Sequence, residues 1–447
     1  MPLAPLASQA YGRAGLPKAR LVNMYVERTP EGPTDSARRS RPGLVASTTR
    51  GFGPIRAILT HAGYRFVVSG TRVFRDAVQV GVLPGVSRVR LAQSDDQLVM
   101  VADGLAYLVG ASVATIAIPD GDLVSDVAFA AGRFVYAMQA SGEFRYSELS
   151  DAENIGALNF ATAESSPDDL VSLENLGDDV LMFGEKTTEW WGPTADIAAP
   201  YQRYNGRRYD VGSAAQNSAV KIENGIIWVG TAQRSDRTDL KVYRTGSTPE
   251  VISTPAIDAF LSQCADISLA TAIEVPSEGR SFYVLNIPGV TTVAFDAREK
   301  LWSEWASYGL DTFRIQCADA GLYGDNDTDQ LWTLDQDANT DGGDAMVRTC
   351  SAYVPTIGRF RVECLELYCS RGEGALGTEP LVEMRYTDSD DMDWSAWDRV
   401  SLGPHGVSPR ARWHQLGQAK PPGRLIEFRC SDDVLFSPFG LAVNERR

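Results

Sequence analysis

Short apolar runs separated by turn residues extend over most of this chain. The run at residues 55–60, for example, is followed by Gly63 and by a second run at residues 64–69. Runs of β-branched and aromatic residues bounded by Gly, Asp, Asn or Pro are typical of β-strands. Helical periodicity is rare, and one short helix is expected at residues 257–264, after Pro255. The pattern therefore predicts an all-β protein.

A cadence of strand, turn, strand, turn and strand repeats through residues 51–344. It begins near residues 55, 89 and 124, and it recurs at 171–191, 219–243, 270–295 and 313–334. Units of roughly 40–50 residues that cannot bury both faces of their sheet alone can do so by stacking around an axis. The cadence predicts an irregular β-propeller of six or seven blades. A pair of β-sandwiches is the alternative, because the chain has no WD or kelch signature.

The pattern changes on both sides of the predicted propeller. Residues 345–447 contain longer strands, which predict a separate C-terminal antiparallel β-sandwich. Segment 335–344 has two adjacent glycines and no apolar residue except alanine, so it is expected to be the linker. Residues 1–50 show little periodicity and are expected to form an extended N-terminal arm.

Charge is unevenly distributed along the 447 residues. The formal net charge is -16, which argues against an ordinary nucleic-acid binder because such a protein needs a basic stripe. The arm is nevertheless basic, and it carries Arg38, Arg39 and Arg41 close together. A basic arm on an acidic body is expected to lie across an acidic surface, either of its own propeller or of a neighbouring copy. These arginines are therefore candidate interface residues.

One segment matches the first half of an EF-hand calcium loop. Asp337, Asn339 and Asp341 alternate as oxygen ligands would, and Gly342 follows them. The twelfth position of the loop is Arg348 instead of the glutamate that would supply two oxygens. We therefore expect no tight metal site, and an acidic, solvated linker is the alternative.

No motif indicates catalysis or a bound cofactor. The chain has no G-x-S-x-G elbow, P-loop or dinucleotide-binding glycine pattern, so no catalytic or cofactor-binding residue is assigned. None of the six cysteines belongs to a C-x-x-C pair, and reduced, packed thiols are expected. No apolar run approaches the ~20 residues of a membrane-spanning segment.

Two tryptophan pairs stand at predicted blade ends. Trp190 and Trp191 are adjacent, so on a strand they face opposite sides, one toward the core and the other outward or into a neighbouring blade. Trp302 and Trp305 form the second pair. Core packing and a contact with a partner subunit are both open for these four side chains, since tryptophan is enriched at interface anchors.

Three regions of the chain resemble the tail hub, or packaged-DNA stabilisation protein, of short-tailed bacteriophages. The first is VNMYV at residues 22–26 followed by RPGL at residues 41–44. The second is FGEKTTEW at residues 183–190. The third is WHQLG at residues 413–417 followed by IEFRCSD at residues 426–432. Each motif is short, but together they follow the family in order and cadence over most of the chain.

The resemblance implies a structural subunit and not an enzyme. In this family a ring, expected to be hexameric, lies below the portal and its adaptor, closes the DNA exit channel, retains packaged DNA and docks spike, fibre or needle proteins. It implies a place in the virion tail after assembly in the host cytoplasm. Double-stranded DNA would pass without sequence-specific binding, and an acidic wall would keep that passage slippery. The alternative is a carbohydrate-binding or carbohydrate-cleaving propeller, which would need an aromatic-lined cleft with paired carboxylates.

Overall fold

The described residues of the N-terminal arm, 19–28 and 36–50, form part of the fold. The computed structural model describes residues 19–28, 36–163, 168–196, 199–234, 237–374, 377–388 and 393–444. Within the arm it places four strands: β1 (Leu21–Val22), β2 (Met24–Arg28), β3 (Ser36–Ser40) and β4 (Gly43–Thr49). Strands β2 and β3 form an antiparallel hairpin, whereas β1 and β4 join sheets made by distant parts of the chain.

Four small antiparallel sheets follow the arm along the chain. Blade 1 contains β5 (Ile55–His61), β6 (Tyr64–Ser69), β7 (Arg72–Arg75) and β8 (Val78–Val82). Blade 2 contains β9 (Arg90–Gln93), β10 (Leu98–Ala102), β11 (Leu105–Val109) and β12 (Val113–Thr115). Blade 3 contains β13 (Val124–Ala130), β14 (Arg133–Met138), β15 (Glu143–Tyr146) and β16 (Phe160–Thr162). Blade 4 contains β17 (Leu170–Leu176), β18 (Asp179–Gly184), β19 (Thr188–Pro193) and β20 (Tyr201–Tyr209).

Three further sheets complete the series. Blade 5 contains β21 (Gly212–Ser213), β22 (Val220–Ile222), β23 (Gly225–Arg234), β24 (Arg237–Arg244) and β25 (Glu250–Val251), and helix α1 (Pro255–Gln263) follows it. Blade 6 contains β26 (Thr271–Ser277), β27 (Arg280–Ile287), β28 (Thr291–Asp296) and β29 (Leu301–Trp305). Blade 7 contains β30 (Ile315–Asp319), β31 (Leu322–Asp325), β32 (Gln330–Asp335) and, as a fourth strand, β4 of the arm.

The seven blades close into a ring. A separate apolar cluster lies between each pair of neighbouring blades, including one between blades 7 and 1 that contains Ile55, Val67 and Leu331. Innermost strand β30 touches both β26 of blade 6 and β5 of blade 1. Because each blade is covered on both faces, its second strand is largely buried, and in β10 and β14 every residue is buried. The fold is the predicted β-propeller, with seven blades.

Strand β4, within the arm predicted at residues 1–50, supplies the fourth strand of blade 7. It pairs antiparallel with β32, with Leu44 opposite Leu334 and Val45 opposite Thr333. Leu44 is buried, whereas residues 45–49 are exposed at the edge of the blade. This part of the arm shows no alternation of apolar and polar residues, because the edge strand buries only Gly43 and Leu44.

The C-terminal domain is an antiparallel β-sandwich, as predicted. The hairpin of β33 (Thr340–Asp341) and β34 (Asp344–Ala345) first extends the sheet of blade 7 beyond β4. One sandwich sheet then contains β35 (Arg348–Pro355), β38 (Leu381–Thr387), β39 (Asp398–Ser401) and β42 (Gly423–Cys430). The other contains β37 (Cys364–Tyr368), β40 (Ala411–His414) and β43 (Gly440–Val443), and a small ribbon is formed by β36 (Phe360–Arg361) and β41 (Gln418–Ala419). Both sheets contribute to one apolar core.

Strand β1 joins the propeller to the sandwich. It pairs in parallel with β29 of blade 6 and antiparallel with β35, so that one sheet of nine strands runs from blade 6 into the sandwich. Segment 335–344 is therefore not a free linker between independent bodies, since its second half pairs with β4. Within the described residues, no helix is long and apolar enough to cross a membrane.

Candidate functional site at the junction of arm, propeller and sandwich

Arg41 is the centre of the junction between the arm, blades 6 and 7 and the sandwich. Its side chain is fully buried. The guanidinium makes five hydrogen bonds, the number of N–H groups that it carries. The acceptors are Asn23 Oδ1 (2.9 Å from Nε), the Pro42 carbonyl (2.9 Å), Asp341 Oδ1 (2.9 Å), Asp341 Oδ2 (2.6 Å) and the Ala306 carbonyl (3.1 Å). The cation is thus both neutralised and fully hydrogen-bonded, which a buried charge requires.

Asn23 connects three parts of the molecule. Its backbone is in the left-handed region, with φ of 53°, which asparagine tolerates better than most residues. Its side-chain oxygen also accepts from the Ala306 backbone N–H (2.9 Å), and its amide donates to the Val347 carbonyl (2.9 Å). The arm is therefore hydrogen-bonded at one residue to the end of blade 6 and to the start of the sandwich.

The contacts of Asp341 and Gly43 show why the RPGL motif at residues 41–44 needs its arginine and its glycine. The Asp341 carboxylate is 1% exposed and, besides Arg41, accepts from the Leu44 backbone N–H at 3.3 Å. Gly43 passes so close to segment 335–344 that a Cβ there would lie 2.5 Å from the Ala338 carbonyl oxygen. Glycine is therefore required for β4 to enter blade 7 beside this segment.

Two aromatic rings enclose the Arg41 guanidinium. Its central carbon lies 4.6 Å from the Phe313 ring centroid and 5.9 Å from that of Trp305. A cation over an aromatic face is attracted by the negative charge of the ring surface, most strongly where water is excluded. Trp305 is fully buried and packs edge-on against Phe313, with 5.5 Å between the ring centroids. The rings belong to blades 6 and 7, so Arg41 also stabilises the contact between those blades.

Two of the three weak candidates for calcium ligands lie beside guanidinium groups. Asp341 is paired with Arg41, and Asn339 Oδ1 accepts from Arg348 Nη1 at 3.1 Å. Arg348 is fully buried, and desolvation lowers its pKa. In the part of the chain that the structure describes, no group of three His, Cys, Asp or Glu side chains could hold a metal ion. Among the aspartates of this segment Asp341 is buried, as an internal anchor, whereas Asp335, Asp337 and Asp344 are exposed, as in a solvated acidic segment.

The three arginines of the arm differ in their surroundings. Arg38 is fully buried against the end of the sandwich, where its carbonyl accepts from Ser437 Oγ at 2.9 Å, and desolvation lowers its pKa. Arg39 is exposed and donates from Nε to Glu27 Oε2 at 2.7 Å. Alternation along β3 explains the difference, since successive side chains face opposite sides. Of the three predicted interface residues, Arg38 and Arg41 are internal, and Arg39 is at the surface.

The four predicted interface tryptophans are packed between blades of the same chain. Trp191 contacts Phe144 of blade 3, with ring centroids 5.0 Å apart, whereas Trp190 belongs to the cluster between blades 4 and 5. Trp302 lies between blades 5 and 6, and Trp305 lies between blades 6 and 7. This placement is the core packing that the sequence left open beside a partner contact. Their large apolar area is used where adjacent blades exclude water.

The second resemblance segment forms a braced turn between β18 and β19. The Asp168 carboxylate accepts from the backbone N–H groups of Lys186 (3.0 Å) and Thr187 (2.7 Å) and from the Thr187 hydroxyl (2.9 Å). A Cβ on Gly184 would lie 2.4 Å from Asp168 Oδ2, so the glycine admits the carboxylate. Reasoning from the sequence missed Asp168 and Asn23 as braces, because each of their partners is a backbone group or a residue far along the chain.

The fold and the junction together define a closed, seven-bladed β-propeller whose first strands are anchored in its last blade and in an appended sandwich. The family model described as "Bacteriophage P22 Gp10, beta-propeller", a phage stabilisation family, matches residues 11–339. The chain belongs to this family. The match confirms the resemblance drawn from the three motifs, and it makes the chain a structural protein of a bacteriophage tail.

Other known proteins add only distant similarity. No curated protein matches the sequence. Among solved structures, PorZ of Porphyromonas gingivalis is 11% identical with a TM-score of 0.37, over 82% of this chain and 48% of that one. The extracellular domain of BT4673 from B. thetaiotaomicron is 8% identical with a TM-score of 0.42, over 90% and 62%. The β-propeller domain of Cps50 (Swd1) from Myceliophteria thermophila is 9% identical with a TM-score of 0.40, over 65% and 99%. The chain thus spans less than two thirds of the first two.

Proposed function

We propose that this chain is the repeating subunit of a ring, expected to be hexameric, in the tail of a short-tailed bacteriophage. The ring lies below the portal and its adaptor, closes the DNA exit channel and retains the packaged DNA. It also docks spike, fibre or needle proteins, and it is assembled in the host cytoplasm. Membership in the P22 Gp10 family is the observation that carries this proposal. The role requires no catalytic residue.

The interior of the propeller favours a DNA path between chains and not through one chain. Arg88 of the loop before β9 donates from Nη1 to the Ala272 carbonyl of blade 6 at 2.8 Å, and Gln216 of blade 5 donates to the Ser125 carbonyl of blade 3. Single side chains thus bridge blades that are not neighbours. A double helix, whose major groove alone is about 12 Å wide, does not fit through such an opening. The conduit must then be formed by several copies arranged in a ring.

The charge of the chain suits a conduit for DNA. Each phosphate that a lysine or arginine neutralises adds salt-dependent affinity and retards movement of the DNA. The net charge of -16 opposes such binding. Several of the basic side chains of the arm and propeller are also internal, as Arg41 and Arg90 are, with carboxylate partners of their own. DNA would therefore meet a surface that repels it.

The mass of the assembled species tests this proposal. A hexamer of 48.6 kDa chains has a mass of about 290 kDa, which sedimentation or native mass spectrometry separates from a monomer. The purified chain is to be measured alone and with its portal and adaptor, and electron micrographs should then show a closed ring. A chain that stays monomeric under both conditions contradicts the ring. Release of reducing ends from host polysaccharide, abolished by a single carboxylate substitution, would favour the carbohydrate-cleaving alternative instead.

A further inference from the structure

A cavity of about 400 Å³ opens among the innermost segments of blades 2, 3 and 5. It lies beside the side chains that bridge the propeller interior. Its polar lining includes Ser87, Arg88, Arg90, Asp103, Gln139 and Gln216. Small-molecule sites in proteins are usually clefts of about 300–1,000 Å³ with a few convergent polar groups, and this cavity has that size and composition.

The two arginines in the wall have different electrostatic surroundings. Arg90 is neutralised, because its guanidinium lies 2.7 Å from Asp126 and 3.0 Å from Glu174. Among the described residues, Arg88 has no carboxylate within ion-pair distance. Its one protein hydrogen bond there goes to the Ala272 carbonyl, at 2.8 Å. A guanidinium carries five N–H donors, so most of those of Arg88 are available to a ligand.

Arg88 is only partly exposed to solvent, and it has no carboxylate partner among the described residues. Burial lowers the pKa of Arg88, because desolvation disfavours its charged form. Desolvated charges in proteins are normally paired or hydrogen-bonded. Two uncharged neighbours could add hydrogen bonds to the same ligand, since the Ser87 hydroxyl and the Gln139 amide line the same cavity. Asp103, the carboxylate in the wall, is exposed.

We propose that this cavity binds a small oxyanion through a carboxylate or phosphate group held by Arg88. The planar fork of a guanidinium bonds either group with two parallel N–H donors. The size of the cavity favours a small ligand, and the exposed Asp103 carboxylate in its wall disfavours a polyanion such as DNA. Bound there, the ligand would neutralise Arg88 at a point where this arginine already connects blade 2 to blade 6, and so would stabilise the propeller.

Binding of inorganic phosphate and of citrate to the full chain tests the proposal. Isothermal titration at constant ionic strength should give one site per chain for at least one of these anions, and comparing the two identifies the preferred group. The Arg88→Gln variant should bind at least about tenfold more weakly, because it loses a charge-assisted bidentate contact. Arg244→Gln is the matched control, since this arginine of blade 5 is paired with Glu223 outside the cavity. Its affinity should be unchanged.

Two results would overturn the site. One is that neither anion binds the parent chain; the other is that Arg88→Gln binds as tightly as the parent. Circular dichroism establishes that each variant is folded. Should Arg88→Gln fail to fold, Arg88→Lys keeps the charge without the fork and is expected to bind, but more weakly than the parent; equal affinity would then refute a bidentate contact. The site concerns a single chain, so its failure leaves the proposed ring unaffected.

Discussion

Replacing Arg41 by leucine removes a fully buried cation and leaves Asp341, which is 1% exposed, without its partner. Breaking a buried ion pair at one end typically costs about 3–5 kcal/mol, because a desolvated charge remains behind. A folded domain is stable by only about 5–15 kcal/mol. Arg41→Leu should therefore lower the free energy of unfolding by about 3–5 kcal/mol and loosen β4 from blade 7.

Arg39→Leu is the matched control on the same hairpin. Arg39 also contacts a carboxylate, at 2.7 Å from Glu27, but 44% of its side chain is exposed. Exposed ion pairs contribute about 0–1 kcal/mol, since water screens the charges and two long side chains lose freedom. Arg39 within β3 and Arg41 just after its end are thus expected to differ several-fold in their effect on stability.

Urea unfolding measured by circular dichroism and by tryptophan fluorescence provides the assay. Trp305 lies 5.9 Å from the Arg41 guanidinium, so fluorescence reports on this junction. The double variant Arg41→Leu, Asp341→Leu should be more stable than the sum of the two single variants predicts, because removing both charges leaves neither unpaired. A loss below about 1 kcal/mol for Arg41→Leu, or one equal to that of Arg39→Leu, would refute the anchoring role.

A subunit contact through the arm is best tested at Arg39, because Arg38 and Arg41 are buried in the chain itself. The sequence predicts that Arg38, Arg39 and Arg41 can all be replaced by serine to leave a folded monomer that assembles poorly. Because Arg38 and Arg41 are fully buried in the chain itself, that triple variant should lose stability before assembly can be measured. Arg39→Ser alone keeps both internal residues. Weaker ring formation by this folded variant would support a contact through Arg39, whereas unchanged assembly would exclude it.

Three further predictions concern the braces and the thiols. Gly43→Ala should destabilise the chain by about 1–3 kcal/mol in thermal unfolding, since its Cβ meets a backbone oxygen at 2.5 Å, while Gly110→Ala, in open space, should have little effect. Asp168→Ala should speed hydrogen exchange at the Thr187 amide, because its acceptor is lost. Burial raises the pKa of the thiols of Cys317, Cys350 and Cys369 to about 12. These thiols should therefore resist Ellman's reagent at pH 8 until urea unfolds the chain. The free energy of unfolding should fall above about pH 9, where only the unfolded thiols lose protons.

Local patterns predicted the repeating part of the fold. Blades 1 to 6 each bring together strands that are adjacent in the chain, and blade 7 does so except for β4, so the apolar runs and turn residues between positions 55 and 334 contain most of the information for these sheets. The propeller buries both faces of each blade, which makes strands such as β10 and most of β14 apolar and therefore recognisable in the sequence. The sandwich strands were predictable for a similar reason, although their pairing order was not.

The junction could not be predicted in the same way, because its partners are far apart along the chain. Arg41 and Asp341 are separated by 300 positions, and each looks like a solvated charge within its own segment. The EF-hand pattern at Asp337, Asn339 and Asp341 was the wrong signal for a related reason: oxygen ligands that suit calcium also suit guanidinium groups. The RPGL motif contains both the cation and the glycine that the junction needs, but it does not indicate the distant residues that they contact.

Closure of the propeller and attachment of the sandwich depend on the same few residues of the arm. Strand β4 completes blade 7, β1 joins blade 6 to the sandwich, and Asn23 and Arg41 lie between these two strands. These contacts join residues far apart in the sequence, such as Arg41 and Asp341 at a separation of 300 positions, so their loop-closure entropy is compensated only after blades 6 and 7 have formed. Docking of the arm should therefore come late in folding. A chain whose arm has not docked would have an open blade edge and an unanchored sandwich, and it would present the wrong surface to a neighbour in a ring. Assembly of the tail would then select chains that have completed the junction.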